Sequence, residues 1–126
     1  MKDAIRITTM AILLIAPILT AGKAEAKCSN IGKSPYNPVS NDTVSRSVAC
    51  DFKGGKVNFK PGAGYAFTGT SVLREASHGS VKAFSHGYTY KPKTGFKGQD
   101  SFSIRVCGSK GGQSGCSTLN YTATVS

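Results

Sequence analysis

His78 and His86 are the only histidines of the chain, and eight residues separate them. On an extended strand that separation is roughly 26 Å, too far for the pair to share a metal ion. A hydrolytic triad needs nucleophile, base and acid in mutual contact. Glu75, Ser77 and His78 are neighbours in sequence, but nothing in their spacing marks a triad, so no catalytic residue is assigned. Calcium asks for clustered oxygen ligands, whereas Asp42 has only Asn41 beside it and Asp100 stands alone among lysines. The glycine-rich stretches at Gly54-Gly55-Lys56 and Gly108–Gly115 lack the spacing of a phosphate-binding loop and a helix to follow it. These residues argue against an enzyme, and for no cofactor and no metal.

The lysines give the one surface with a chemical direction. From Lys27 onward the chain has thirteen Lys and Arg against Asp42, Asp51, Glu75 and Asp100, a net charge of +9. Such an excess favours anionic partners. Lys91, Lys93 and Lys97 flank a single turn and Lys82 lies on the segment before it, with Lys53, Lys56 and Lys60 forming a second group. The four residues Lys82, Lys91, Lys93 and Lys97 are the candidate anionic-ligand site. The ligand classes are an acidic glycan, lipopolysaccharide or an anionic lipid surface. Nucleic acid fits less well, because the only aromatics among these lysines, Tyr88, Tyr90 and Phe96, read as core and turn packing. An envelope or host protein, engaged through loops or a sheet edge, is the alternative partner.

What must position these side chains is an antiparallel sheet. Between Gly79 and Val125, short alternating runs are separated by Gly- and Pro-bearing turns. No run longer than about six residues after Lys27 has a helical apolar period. Phe102, Ile104 and Val106 share one parity, as do Leu119, Tyr121, Ala123 and Val125, so both sets are expected to face the core. Further upstream, Thr43–Phe52 reads as a strand with Val44, Val48, Cys50 and Phe52 inward. Arg46 interrupts that face, so the strand is expected to begin in effect at Ser47. Val57 and Phe59 point inward on the next strand. A parity change across Gly69 predicts a bulge, and Lys27–Asn41 reads as an irregular arm or edge strand.

The cysteines fit this frame. Cys28, Cys50, Cys107 and Cys116 are an even set with no C-x2-C spacing, which reads as two disulfides in an oxidising compartment. If Cys107 pairs with Cys116, the last hairpin sets Ile104 against Leu119 and Phe102 against Tyr121, inward against inward. Both cysteines then lie opposite each other on the outer side, where short separations allow a bridge. Cys28–Cys50 follows by elimination. The competing arrangement joins Cys50 to Cys107 across two sheets, but Cys107 has the wrong parity and the chain has no Trp to pack on such a bridge.

Residues 1–26 read as a secretory signal peptide: Lys2 and Arg6, an apolar run of about 15 residues, then Ala24-Glu25-Ala26. A membrane-spanning helix wants about 20 apolar residues, so no transmembrane segment is expected in the mature chain. Residues 27–126 are then one exported domain, periplasmic or secreted.

The segment from residue 70 to 126 also resembles the bacterial Ig-like and cadherin-like repeat. The resemblance is carried by His78-Gly79-Ser80-Val81, then Tyr88-Thr89-Tyr90-Lys91-Pro92, then Gly95-Phe96-Lys97-Gly98-Gln99-Asp100-Ser101-Phe102, and the closing hairpin. It implies an antiparallel β-sandwich of about seven strands and a non-catalytic binding module. His78, Gly79, Tyr90, Pro92, Gly95, Phe96, Gly98, Asp100 and Phe102 are then fold-motif residues, with Asp100 accepting backbone hydrogen bonds in its turn. The usual place of that repeat is in large surface proteins. A lone basic domain with two cysteine pairs points instead to a small free module.

Overall fold

A computed structural model describes residues 27–60 and 65–126, and the leader expected over residues 1–26 lies outside them. The described strands are β1 Cys28–Ile31, β2 Thr43–Cys50, β3 Gly55–Asn58, β4 Ala66–Arg74, β5 Gly79–Phe84, β6 Gly87–Pro92, β7 Gly98–Lys110 and β8 Gln113–Val125. They form two layers, a five-stranded sheet in the order β1-β2-β8-β7-β4 and a three-stranded sheet in the order β3-β6-β5. The expected all-β sandwich is the fold. Neighbouring strands run antiparallel except β2 and β8, which are parallel from Thr43↔Thr118 to Cys50↔Val125. At the margins β1 approaches β3 and β4 approaches β5, where the Thr70 hydroxyl donates to the Ser85 carbonyl at 3.1 Å.

The period-two alternation of β7 and β8 builds the core. Phe102, Ile104, Val106, Leu119 and Ala123 are fully buried, and the register pairs Phe102 with Tyr121 and Ile104 with Leu119. Opposite them the three-stranded sheet contributes Val57, Val81, Tyr88 and Tyr90. Phe102 lies between two near-parallel rings, Tyr90 at 5.4 Å and Tyr121 at 5.2 Å, and Tyr88 meets it edge-on at 5.3 Å. Such pairs add about 0.5–1.5 kcal/mol each beyond the area they bury.

Both disulfides lie within one sheet. Cys107 and Cys116 are direct partners in the β7–β8 register, and Cys28 and Cys50 in the β1–β2 register. The second bridge fastens β1, a four-residue edge strand, to the sheet. The rest of the N-terminal arm is held by polar bonds. After a single 3-10 turn at Pro38–Ser40, Asn41 adopts φ 52° and its side chain accepts the Cys116 N–H at 2.9 Å. Asp42 accepts from the Asn37 amide at 2.9 Å and from the Ser117 hydroxyl.

Two expectations are corrected. Strand β2 ends at Cys50, and Phe52 is 60% exposed. The Asp51 side chain accepts the Lys53 N–H and its carbonyl the Gly54 N–H, both at 2.9 Å, which turns the chain out of the sheet. Gly54 completes this turn at φ +79°, where a side chain would strike the Tyr90 carbonyl. Nor does the strand begin at Ser47. The parallel pairing with β8 runs through Arg46, whose guanidinium sits over the rings of Tyr36 at 5.4 Å and Tyr121 at 5.9 Å. An aromatic platform thus replaces the apolar neighbour that this inward position would otherwise require. The bulge expected at Gly69 is present as a register shift between Phe67 and Gly69, and a second lies between Val72 and Arg74.

Candidate functional site

The lysines are organised by the three-stranded sheet. Register sets Lys56 and Lys82 on either side of Thr89, one on each neighbouring strand. Strands lie about 4.8 Å apart, which puts the two Cα atoms roughly 10 Å from each other on one face. Lys91, two residues beyond Thr89, is on that same face and diagonal to Lys82, at a typical spacing of about 7–8 Å. All three are exposed. Phe84 also belongs to this outer face. Its ring lies across Gly87, where an added Cβ would come within 2.6 Å of Phe84 Cζ, and Lys56 Nζ stands 5.1 Å from the ring centroid.

Lys93 and Lys97 are exposed as well, but lie past the end of β6, in the turn that leads to β7. Lys93 starts this turn by donating its N–H to the His78 carbonyl at 2.9 Å and accepting the Phe96 N–H at 3.0 Å. The four lysines named from sequence thus divide into a pair on the sheet face and a pair at its end. The structure adds Lys56, which sequence spacing had grouped with Lys53 and Lys60. Lys53 stays apart, over the Phe52 ring at 5.7 Å, and Lys60 lines a different cleft, beside Arg46 and Tyr65. Only a β3–β6 pairing could have moved Lys56 into the site, and no local pattern encodes that pairing.

The fold-motif residues cluster around one buried carboxylate. Asp100 is 3% exposed. It accepts the N–H groups of Ser77 (2.8 Å), His78 (3.0 Å) and Ser101 (2.8 Å), and the Tyr90 hydroxyl at 2.8 Å. The His78 ring stacks on Phe96 at 4.5 Å with 6° between planes. Pro92 is buried at the end of β6, opposite Gly79. Gly95 and Gly98 take the positive φ values of 84° and 125° that this turn requires. Glu75 is turned to the Val81 N–H at 2.6 Å, so Glu75, Ser77 and His78 do not assemble into a relay. The His86 ring has the Ser85 hydroxyl at 3.0 Å. Among the described residues no three His, Cys, Asp or Glu come together as a metal site.

Among the described residues every carboxylate is hydrogen-bonded within the fold. Asp42 and Asp100 hold amides and hydroxyls, Asp51 holds the Lys27 and Lys53 amides, and Glu75 holds the amide of Val81. None of these bonds is to a lysine ammonium. Burial pushes the phenols of Tyr36, Tyr88, Tyr90 and Tyr121 above their ordinary value, with the Asp100 carboxylate adding to the effect at Tyr90. Arg46 works in the opposite direction at Tyr121.

The family model of the bacterial Ig domain matches residues 33–124. The chain belongs to the bacterial Ig domain family. The match reaches from the N-terminal arm to β8, well beyond the segment from residue 70 on which the resemblance was read. No curated protein matches the chain. An Ig domain of this kind fits a non-catalytic binding or interaction module. The two disulfides fit an exported protein, and among the described residues no helix is long and apolar enough to cross a membrane.

Proposed function

We propose that this Ig domain is an exported, non-catalytic module that binds anionic material of the cell envelope or a surface: acidic glycan, lipopolysaccharide or anionic lipid. Lys56, Lys82 and Lys91 on the β3-β6-β5 face make the contact, with Lys93 and Lys97 extending it at one end. The observation that supports this reading is the gathering of exposed Lys56, Lys82 and Lys91 on one sheet face, while every described carboxylate bonds amides and hydroxyls and none bonds a lysine ammonium. Near an anionic surface each lysine contributes about 1 kcal/mol. At physiological salt the screening length is about 8 Å, so only lysines spaced as closely as these act together.

The test is binding of the Lys27–Ser126 domain to lipopolysaccharide, acidic polysaccharide and anionic vesicles, at low and at physiological salt. Binding to lipopolysaccharide and to anionic vesicles is expected to survive physiological salt and to disappear when Lys82, Lys91, Lys93 and Lys97 are each replaced by Glu. Loss of all binding at physiological salt would overturn the reading and favour a protein partner.

A further inference from the structure

A second site lies between the N-terminal arm, Arg46 of β2 and the end of β3. A cleft of about 400 Å³ there is lined by Tyr36, Arg46, Asn58, Phe59, Lys60 and Tyr65, among others. That volume falls in the range of small-molecule sites, about 300–1,000 Å³. Its lining joins two cations, three aromatic rings and two carboxamides, with no acid among the described residues.

Arg46 is the centre of this site. It occupies an inward position of β2, between Val44 and Val48. Its guanidinium is fixed by the rings of Tyr36 and Tyr121 and by one hydrogen bond, to the Tyr121 hydroxyl at 3.3 Å. A guanidinium has five N–H donors in a planar fork that matches a carboxylate, and among the described residues this one bonds no carboxylate. A held cation with open donors is a site prepared for an acceptor group from outside. The aromatic walls fit a ring: Tyr65 meets Phe67 edge-on at 5.8 Å and Tyr36 meets Phe59 edge-on at 6.1 Å. Asn58 offers both a donor and an acceptor for ring hydroxyls, and Lys60 is exposed at the rim.

We infer that this cleft binds a hexuronate, a sugar ring carrying one carboxylate, with the carboxylate on Arg46 and Lys60 and the ring against Tyr65 and Tyr36. The inference does not rest on the lysine face, although Asn58 follows Lys56 on the same side of β3.

The probe is a galacturonate trisaccharide, titrated into the isotopically labelled domain and followed by amide chemical shifts. Maltotriose serves as the neutral ring, and acetate and inorganic phosphate as bare anions. Saturable shifts at Arg46, Asn58 and Lys60 are expected with the uronate alone. Affinity should fall at least about tenfold in Arg46→Met, because a point of bidentate contact is removed. Where Arg46→Met does not fold, Lys60→Gln combined with Tyr65→Leu, on more exposed side chains, serves the same purpose. In a Lys82→Glu/Lys91→Glu variant, shifts on the lysine face are expected to vanish while those at Arg46, Asn58 and Lys60 persist. The inference is overturned by the absence of saturable binding, by equal binding of maltotriose, acetate or phosphate, or by cleft variants that bind unchanged. It is equally overturned if only the Lys82/Lys91 variant loses the uronate, in which case the lysine face is the sugar site.

Discussion

The hydroxyl of Tyr90 donates to the carboxylate of Asp100 at 2.8 Å, both residues being essentially inaccessible to solvent. This bond joins the three-stranded sheet to the first residues of β7. The same carboxylate holds three amides of the two turns beside it, so it is a shared anchor for both layers. Replacing Asp100 by Ala leaves a buried hydroxyl and three amides without an acceptor and is expected to destabilise the domain by at least about 3 kcal/mol. Tyr90→Phe removes one donor only and should cost about 1 kcal/mol. Urea unfolding of the two variants checks the order; equal losses would show that Asp100 is not the anchor.

Phe102 is stacked between Tyr90 and Tyr121. Truncation to Ala opens a cavity that neighbouring strands cannot collapse into, at about 3–5 kcal/mol. Phe102→Leu fills most of that volume and is expected to lose far less. Denaturant midpoints at constant m-value measure both.

The two disulfides constrain unfolded loops of different length, with sequence separations of 22 for Cys28–Cys50 and 9 for Cys107–Cys116. Loop-closure entropy gives about 3.5 and about 2.5–3 kcal/mol respectively. Replacing each pair by Ala should therefore lower the melting temperature more for Cys28/Cys50. That pair also fastens the edge strand β1, whose amides should lose hydrogen-exchange protection while those of β7 and β8 keep theirs.

Alkaline pH tests the buried phenols. The folded domain holds protons on Tyr36, Tyr88, Tyr90 and Tyr121 that an unfolded chain releases at about pH 10. Their folded values are raised, so their contribution is fully present below about pH 10 and is lost as pH rises beyond it. The slope is about 1.4 kcal/mol per pH unit for each phenol that stays protonated in the fold. Melting temperatures from about pH 8 to about pH 11.5 should fall only above pH 10, and in a Tyr65→Phe variant, which keeps only these four phenols, tyrosinate absorbance should appear together with unfolding. Tyrosinate forming in that folded variant near pH 10 would contradict this.

Local chemistry made much of the fold legible. Alternation in Phe102–Val106 and Leu119–Val125 gave the inward faces, and of the two cysteine pairings weighed, Cys107–Cys116, which matches inward residues to inward, is the one present. The role of Asp100 was legible through the resemblance of Gly95–Phe102 to the bacterial Ig-like repeat, which implies an aspartate accepting backbone hydrogen bonds in its turn. Phe52 was misplaced because alternation says nothing about where pairing stops. The stop is set by Asp51 capturing the Lys53 amide, a bond two residues long that a pattern of apolar residues does not contain.

The sequence by itself determined that this is a disulfide-bonded β-sandwich with an excess of positive charge, since period, turn residues and cysteine parity are properties of neighbouring residues. Only the tertiary structure decided that Lys56 joins Lys82 and Lys91, that β2 runs parallel to β8, and that Arg46 stands over Tyr36 and Tyr121 in a cleft. These relations connect residues up to 75 positions apart in the chain. Which strands become neighbours follows from burying both apolar faces at once, a condition on the whole domain that no single segment carries.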